Sequence, residues 1–116
     1  LIKPQTFMNN SGESIQKLVI GYRLSTSDLL VIQDEVDLPF GTIRQSKGAG
    51  SAGHKGIASI IDKIGRDFAR IRVGIENRED AGKIETEDYV LRQFTALEQK
   101  MLVETIIPEV IKKITP

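Results

Sequence analysis

The stretch Gly56-Ile57-Ala58-Ser59-Ile60-Ile61-Asp62-Lys63-Ile64-Gly65-Arg66-Asp67-Phe68-Ala69-Arg70-Ile71-Arg72-Val73-Gly74-Ile75 changes its hydrophobic period halfway along. Ile57, Ile60, Ile61 and Ile64 recur at helical spacing, so residues 56–64 are expected as a helix with one apolar face. Gly65 stands where a left-handed residue would end it. From Phe68 to Ile75 the period drops to two. Ile71, Val73 and Ile75 share one side, and Arg70 and Arg72 the other. That spacing predicts a half-exposed strand with a basic outer face. A helix running directly into a strand is the repeating step of an α/β layered domain.

The same alternation extends outward. Ile15, Leu18, Val19 and Tyr22 predict a helix over 11–22, with Asn10 and Glu13 at capping-box spacing. Leu29–Gln33 is a continuous apolar run, expected as a buried strand that ends in Asp34-Glu35-Val36-Asp37 and the turn residues Pro39 and Gly41. A short strand is expected over 42–46. Residues 76–87 are polar and charged, expected as a loop. Thr95 and Glu98 form a second capping box, opening a helix whose core side is expected at Leu97, Met101, Thr105, Pro108 and Ile111, with Pro108 kinking or breaking it. Leu1 and Ile2, ahead of Pro4, resemble the tail of a strand. With no initiating methionine, this suggests a cut within a larger domain.

At 116 residues the chain is expected to form one domain, 1–116. No apolar run is long enough to span a bilayer, and no signal-peptide pattern is present. No cysteine and a single histidine exclude disulfides and thiolate metal sites and disfavour zinc, so no metal is expected. Net charge is zero but unevenly spread. Residues 44–72 hold seven bases (Arg44, Lys47, Lys55, Lys63, Arg66, Arg70, Arg72) against Asp62 and Asp67, whereas residues 73–99 hold seven acids against three bases. A local basic field suits a polyanion, although an ordinary solvated surface has the same composition.

Within the basic stretch lies Lys47-Gly48-Ala49-Gly50-Ser51-Ala52-Gly53-His54-Lys55-Gly56. Small residues ahead of a helix N-terminus let a backbone approach an anion closely. His54 can donate, accept or titrate there, or simply sit in the helix-capping region. The run is neither a P-loop nor a dinucleotide fingerprint. Asp34, at the expected end of a buried strand, can hold and stabilise an imidazolium, or can cap its own turn. Asn9 can donate its amide to a carbonyl or oxyanion, or serve the start of the first helix. Strand ends and the connections after them are where α/β domains gather ligands, so Asn9, Asp34 and His54 are expected to converge at one sheet edge. Without Gly-x-Ser-x-Gly or cysteine, a hydrolase built on these groups would use water directly.

Four blocks in order carry a family likeness: Lys3-Pro4-Gln5-Thr6-Phe7-Met8-Asn9, Asp34-Glu35-Val36-Asp37-Leu38-Pro39-Phe40-Gly41, Gly50-Ser51-Ala52-Gly53-His54-Lys55-Gly56 and Arg70-Ile71-Arg72-Val73-Gly74-Ile75. Together they resemble bacterial-type peptidyl-tRNA hydrolase, across the whole chain. The resemblance implies a single three-layer α/β domain with a mixed sheet flanked by helices, here without its N-terminal strand and helix. It implies a cytoplasmic monomer with no cofactor, no metal, no membrane attachment and no obligate protein partner, acting on peptidyl-tRNA. The reaction it implies is hydrolysis of the ester between a peptide and the 3′ ribose, which recycles tRNA from aborted translation. By the same match, Asn9 positions substrate, with Phe7 and Met8 beside it in a cleft for the peptide and terminal adenosine. Asp34 orients the catalytic histidine, His54 supports substrate binding, and the water-activating histidine belongs to a segment ahead of Leu1. Lys55 departs from the family's common asparagine. A lysine offers a phosphate a point charge but no acceptor. Arg44, Lys47, Arg70 and Arg72 are further candidate phosphate contacts. On this reading the parent protein is a carboxylic ester hydrolase. The chain alone is either inactive for want of its base or only a binder of tRNA acceptor ends.

Overall fold

A computed structural model describes residues 1–78 and 84–115. Its elements are α1 (Ser11–Gly21), β1 (Leu30–Pro39), β2 (Ile43–Lys47), α2 (Lys55–Ile64), β3 (Ala69–Glu76), α3 (Thr86–Val90), α4 (Ala96–Met101) and α5 (Ile107–Ile114). Short 3₁₀ turns at Met8–Asn10 and Thr26–Asp28 precede α1 and β1, and a π turn at Leu102–Ile106 joins α4 to α5.

The strands form one sheet in the order β1-β3-β2. β1 and β3 are parallel: the Ala69 N–H donates to Leu29 O near one end, and the Phe40 N–H to Glu76 O near the other. After β1 the chain reverses through a turn closed by the Thr42 N–H on Pro39 O, with Gly41 at φ 87° in the left-handed region that turn requires. β2 therefore runs against β1 and β3, and the sheet is mixed. The α/β expectation holds.

By packing, the chain divides into two compact units, Leu1–Val31 with Gln45–Arg70, and Ile32–Arg44 with Ile71–Pro116. In the first, α1 packs on α2. Ile15, Ile57, Ile60 and Phe68 form the buried core, flanked by Val19, Leu29, Val31, Ile61 and Ile64. The helices meet closely at Gly12, where a β-carbon would lie 2.1 Å from the Ser59 carbonyl oxygen. Gly65, at φ 79°, ends α2 as the sequence predicts. In the second unit Ile71, Ile75, Ile106 and Val110 are buried.

Five expectations need correction. β1 does not stop before Asp34 but runs on to Pro39, which makes Asp34 an interior strand residue. The acids do not break the strand because it alternates: Gln33 and Glu35 are buried with polar partners, and Asp34 and Val36 lie on the other side. Arg70 is not on an exposed face: it is 2% exposed. β3 is the middle strand, and Arg70 Nη2 donates to Gly50 O at 2.8 Å while its guanidinium lies 6.0 Å from the Phe68 ring centroid. Asn10 and Glu13 form no capping box, because Asn10 closes a 3₁₀ turn at φ −117°, ψ 15° instead of being extended. Residues 1–7 carry no regular element, so Leu1 and Ile2 are not a strand tail in this structure.

The fifth correction concerns the C-terminal helix. The Thr95–Glu98 box forms in full. Beyond it, Pro108 cannot donate to the carbonyl four residues back, and its ring crowds that carbonyl. The helix widens into the π turn just ahead of it, which moves the following side chains around the axis. The core side is thus Ile106 and Val110, while Leu97, Met101 and Ile111 are exposed. Of the loop expected over 76–87, Glu76 belongs to β3, Thr86 and Glu87 belong to α3, and residues 79–83 lie outside the described residues.

Candidate functional site

In the first unit, the glycine-rich run reaches α2 through Ala52 at φ 48° and Gly53 at φ 85°. A left-handed alanine costs about 1–2 kcal/mol, and such strain is most often tolerated where a loop has to present a particular group. The group presented is His54, the N-cap of α2. Its Nδ1 accepts the Ile57 N–H at 3.1 Å. An accepting Nδ1 leaves the ring proton on Nε2. The capping and functional readings of His54 are therefore compatible, since each uses a different nitrogen.

Gly56 is why other groups can approach this ring. A β-carbon there would lie 3.0 Å from His54 Cε1 and 3.1 Å from Met8 Cγ, so Met8 and His54 flank the same bare backbone. Phe7 and Met8 are exposed. Asn9 lies in the 3₁₀ turn, and among the described residues its side-chain amide makes no hydrogen bond. Asn9 and Lys55 share a groove of about 470 Å³ with Asn10, Glu13, Ser59 and Lys63. The structure thus brings Phe7, Met8, Asn9, His54 and Lys55 onto one continuous piece of the first unit. Lys47 is also exposed here, 4.0 Å from Asp67.

Asp34 belongs to the second unit. It is half-buried and lines a cavity of about 630 Å³ together with Ile75, Asn77, Arg78, Tyr89, Arg92, Phe94 and Glu98. A tight polar network forms part of the wall. The Tyr89 hydroxyl donates to Ile75 O and accepts the Asn77 N–H. Asn77 Nδ2 donates to Glu98 Oε2 at 3.1 Å, and Glu98 Oε1 accepts the Thr95 N–H at 2.8 Å. Arg78 donates through Nε to Glu76 Oε1 at 2.9 Å and through Nη1 to Ile84 O at 2.7 Å, with its guanidinium 4.7 Å from the Tyr89 ring centroid.

The charges in this wall follow from their partners. Burial pushes the Glu98 carboxyl up, but hydrogen bonds from Thr95 and Asn77, with the Arg92 charge, outweigh it and hold the pKa below the ordinary range. The Arg78 hydrogen bonds similarly hold Glu76 low against its burial. Burial raises the Tyr89 phenol, which stays protonated and able to donate. Both carboxylates are therefore fixed acceptors at neutral pH.

Arg44 is exposed, and Arg72 Nη1 stands 3.8 Å from Glu35 Oε1. Sequence reasoning missed Asn77, Tyr89 and Glu98 as cavity residues. The usable signal was Glu98, whose capping-box position fixes its backbone but leaves one carboxylate oxygen for a partner from elsewhere.

The family model for peptidyl-tRNA hydrolase matches residues 1–115. A peptidyl-tRNA hydrolase of Persephonella marina is 46% identical over 108 residues, covering 92% of this chain and 56% of the relative. A chloroplastic peptidyl-tRNA hydrolase of Arabidopsis thaliana is 47% identical over 107 residues, covering 90% of this chain and 36% of the relative. Among solved structures, peptidyl-tRNA hydrolase from Acinetobacter baumannii superposes with a TM-score of 0.72 at 29% identity, over 95% of this chain and 62% of that one. A peptidyl-tRNA hydrolase in complex with N-propanol gives 0.79 at 31% identity, over 94% and 55%. The chain spans about half the length of most of the curated relatives it matches.

Proposed function

The chain belongs to the peptidyl-tRNA hydrolase family, and we propose that the whole protein hydrolyses the ester joining a peptide, or an N-blocked amino acid, to the 3′ ribose of tRNA. Water attacks the ester carbonyl carbon, the bond to the 3′ oxygen breaks, and that oxygen takes a proton as the peptide leaves as a carboxylic acid. The proton of water passes to a histidine base that the family resemblance places ahead of Leu1. Asp34 holds that imidazole and stabilises it once charged. Asn9 offers its amide to the substrate carbonyl. Phe7, Met8 and His54 line the substrate path. Arg44, Lys47 and Lys55 meet acceptor-end phosphates, Arg70 drops out because it is buried, and Arg72 serves only in part, through its contact with Glu35. The protein acts as a cytoplasmic monomer. Among the described residues, no helix is long and apolar enough to cross a membrane.

The observation that carries the reading is Asp34, a half-buried carboxylate facing a cavity from the interior of β1. Asp34→Asn in the whole protein is expected to lower single-turnover cleavage of N-acetyl-aminoacyl-tRNA by about 100-fold or more, with little change in affinity. Weakened tRNA binding at an unchanged rate would move Asp34 from catalysis to binding.

A second reading applies to the 116-residue chain by itself: it binds acceptor ends without turning them over. His54 is its one histidine, and Nδ1 is committed to α2. Robust hydrolysis by this chain would sink that reading and point to His54 as the base.

A further inference from the structure

The cavity beside Asp34 carries chemistry that the proposed reaction does not use. Asn77 stands just beyond the carboxyl end of β3, where α/β sheets present groups to ligands. Its amide has a fixed sense. A carboxylate can only accept, so Nδ2 must face Glu98 Oε2, and Oδ1 is turned the other way. Among the described residues nothing donates to that Oδ1. Phe94 lines the same cavity, 43% exposed, and is braced by Phe40 in an edge contact at 6.2 Å between ring centroids. Arg92, also exposed, brings a positive charge to the rim. An aromatic surface, an oriented acceptor and a cation around about 630 Å³ are what a nucleotide needs: a face for its base, a partner for its donor and a charge for its phosphate.

We propose that this cavity is a nucleotide subsite in which Phe94 stacks a base of the single-stranded acceptor end, Arg92 meets its phosphate, and Asn77 Oδ1 accepts a hydrogen bond from it. Glu98 is the positioning residue that keeps the amide in this sense. The proposal rests on the tRNA reading above and extends it. The donor is either a ribose 2′-hydroxyl or a base amine. Both present the same chemistry to Oδ1.

The test uses the whole protein and the ribotrinucleotide CCA, with its all-deoxy counterpart and UUA as comparators. CCA is expected to shift the NMR signals of the Phe94 ring and the Asn77 side-chain amide, a readout that needs no variant. One comparator is expected to bind about three- to tenfold more weakly than CCA, as for one lost hydrogen bond. Loss with the deoxy strand assigns the hydroxyl, and loss with UUA assigns the amine. Asn77→Ala should weaken CCA by a similar factor and erase that discrimination. Glu98→Gln should do the same, because an amide at residue 98 lets Asn77 flip and turn a donor into the cavity. Unshifted Phe94 and Asn77 signals, or full discrimination in Asn77→Ala, would overturn the proposal. Hydrolysis of N-acetyl-aminoacyl-tRNA measured in parallel separates the two readings. Wild-type hydrolysis with an unmoved cavity removes only the subsite, whereas absent hydrolysis removes the enzyme reading.

Discussion

Helices α1 and α4 each begin with a polar residue followed three positions later by glutamate, Asn10 with Glu13 and Thr95 with Glu98. At α4 the residue before the helix is extended, at φ −66°, ψ 164°. Both reciprocal bonds close, from the Glu98 N–H to Thr95 Oγ1 at 3.1 Å and from the Thr95 N–H to Glu98 Oε1 at 2.8 Å. At α1 the 3₁₀ turn through Met8–Asn10 removes the extended residue, and neither bond forms. The orphan Gly12 N–H donates instead to Ser59 Oγ of α2 at 2.9 Å. One helix start is held by its own sequence and the other by a neighbouring helix. Among the described residues, the side-chain amide of Asn9, beside Asn10, makes no hydrogen bond.

The comparison breaks most severely at Gly12. A β-carbon there meets the Ser59 carbonyl oxygen at 2.1 Å, which is backbone and cannot swing aside. Forcing the helices apart costs about 1–3 kcal/mol, and losing the Ser59 bond costs about 1 more. Alanine's better helix propensity returns about 1. Gly12→Ala is therefore expected to destabilise by about 2 kcal/mol in urea unfolding. A neutral or stabilising result would mean that α1 is not held by its contact with α2.

At α4 the loss is local and smaller. Thr95→Ala removes an N-cap and is expected to cost about 1 kcal/mol. Glu98 adds a pH signature. Its folded pKa lies below the unfolded one, so its contribution is full above the unfolded value and disappears as pH falls through the folded value. Stability should therefore decline on the acid side, and Glu98→Gln should flatten that part of the profile. An unchanged acid limb would mean that Glu98 is not held low.

This contrast also shows what was legible before any coordinates. The helical period of Ile57–Ile64, the stop at Gly65 and the Thr95 box involve only near neighbours, and all three form as expected. Arg70 was misplaced because alternation assigns faces without saying which strand is central. Asp34 was expected at a strand end because three acids in four residues resemble a turn, yet Gln33 and Arg72 give Glu35 partners inside the sheet. Ile111 was taken for core because a fixed period cannot register the extra residue that the π turn admits ahead of Pro108, whereas Leu97 and Met101, which precede that turn, were taken for core on apolar character although Glu98 holds the buried position beside them. Met8 and Asn9 were legible as motif residues. The cavity around Asn77 was not, since a tyrosine in α3 and a glutamate in α4 reach it only through the fold.

The smallest expected effect is the most discriminating. Asn10→Ala removes the residue that spacing nominates as the cap of α1. Its side chain makes no capping bond, and the neighbouring Gly12 N–H of the first turn is already taken by Ser59. Stability should change by no more than about 0.5 kcal/mol, the ordinary range for an exposed position. Ser59→Ala, which strands the buried Gly12 N–H, should cost about 1–2 kcal/mol in the same assay. If Asn10→Ala costs as much as Thr95→Ala, the capping box at α1 forms in solution after all. The two helix starts would then be alike, and Asn9 would lose part of the freedom on which its proposed contact with substrate depends.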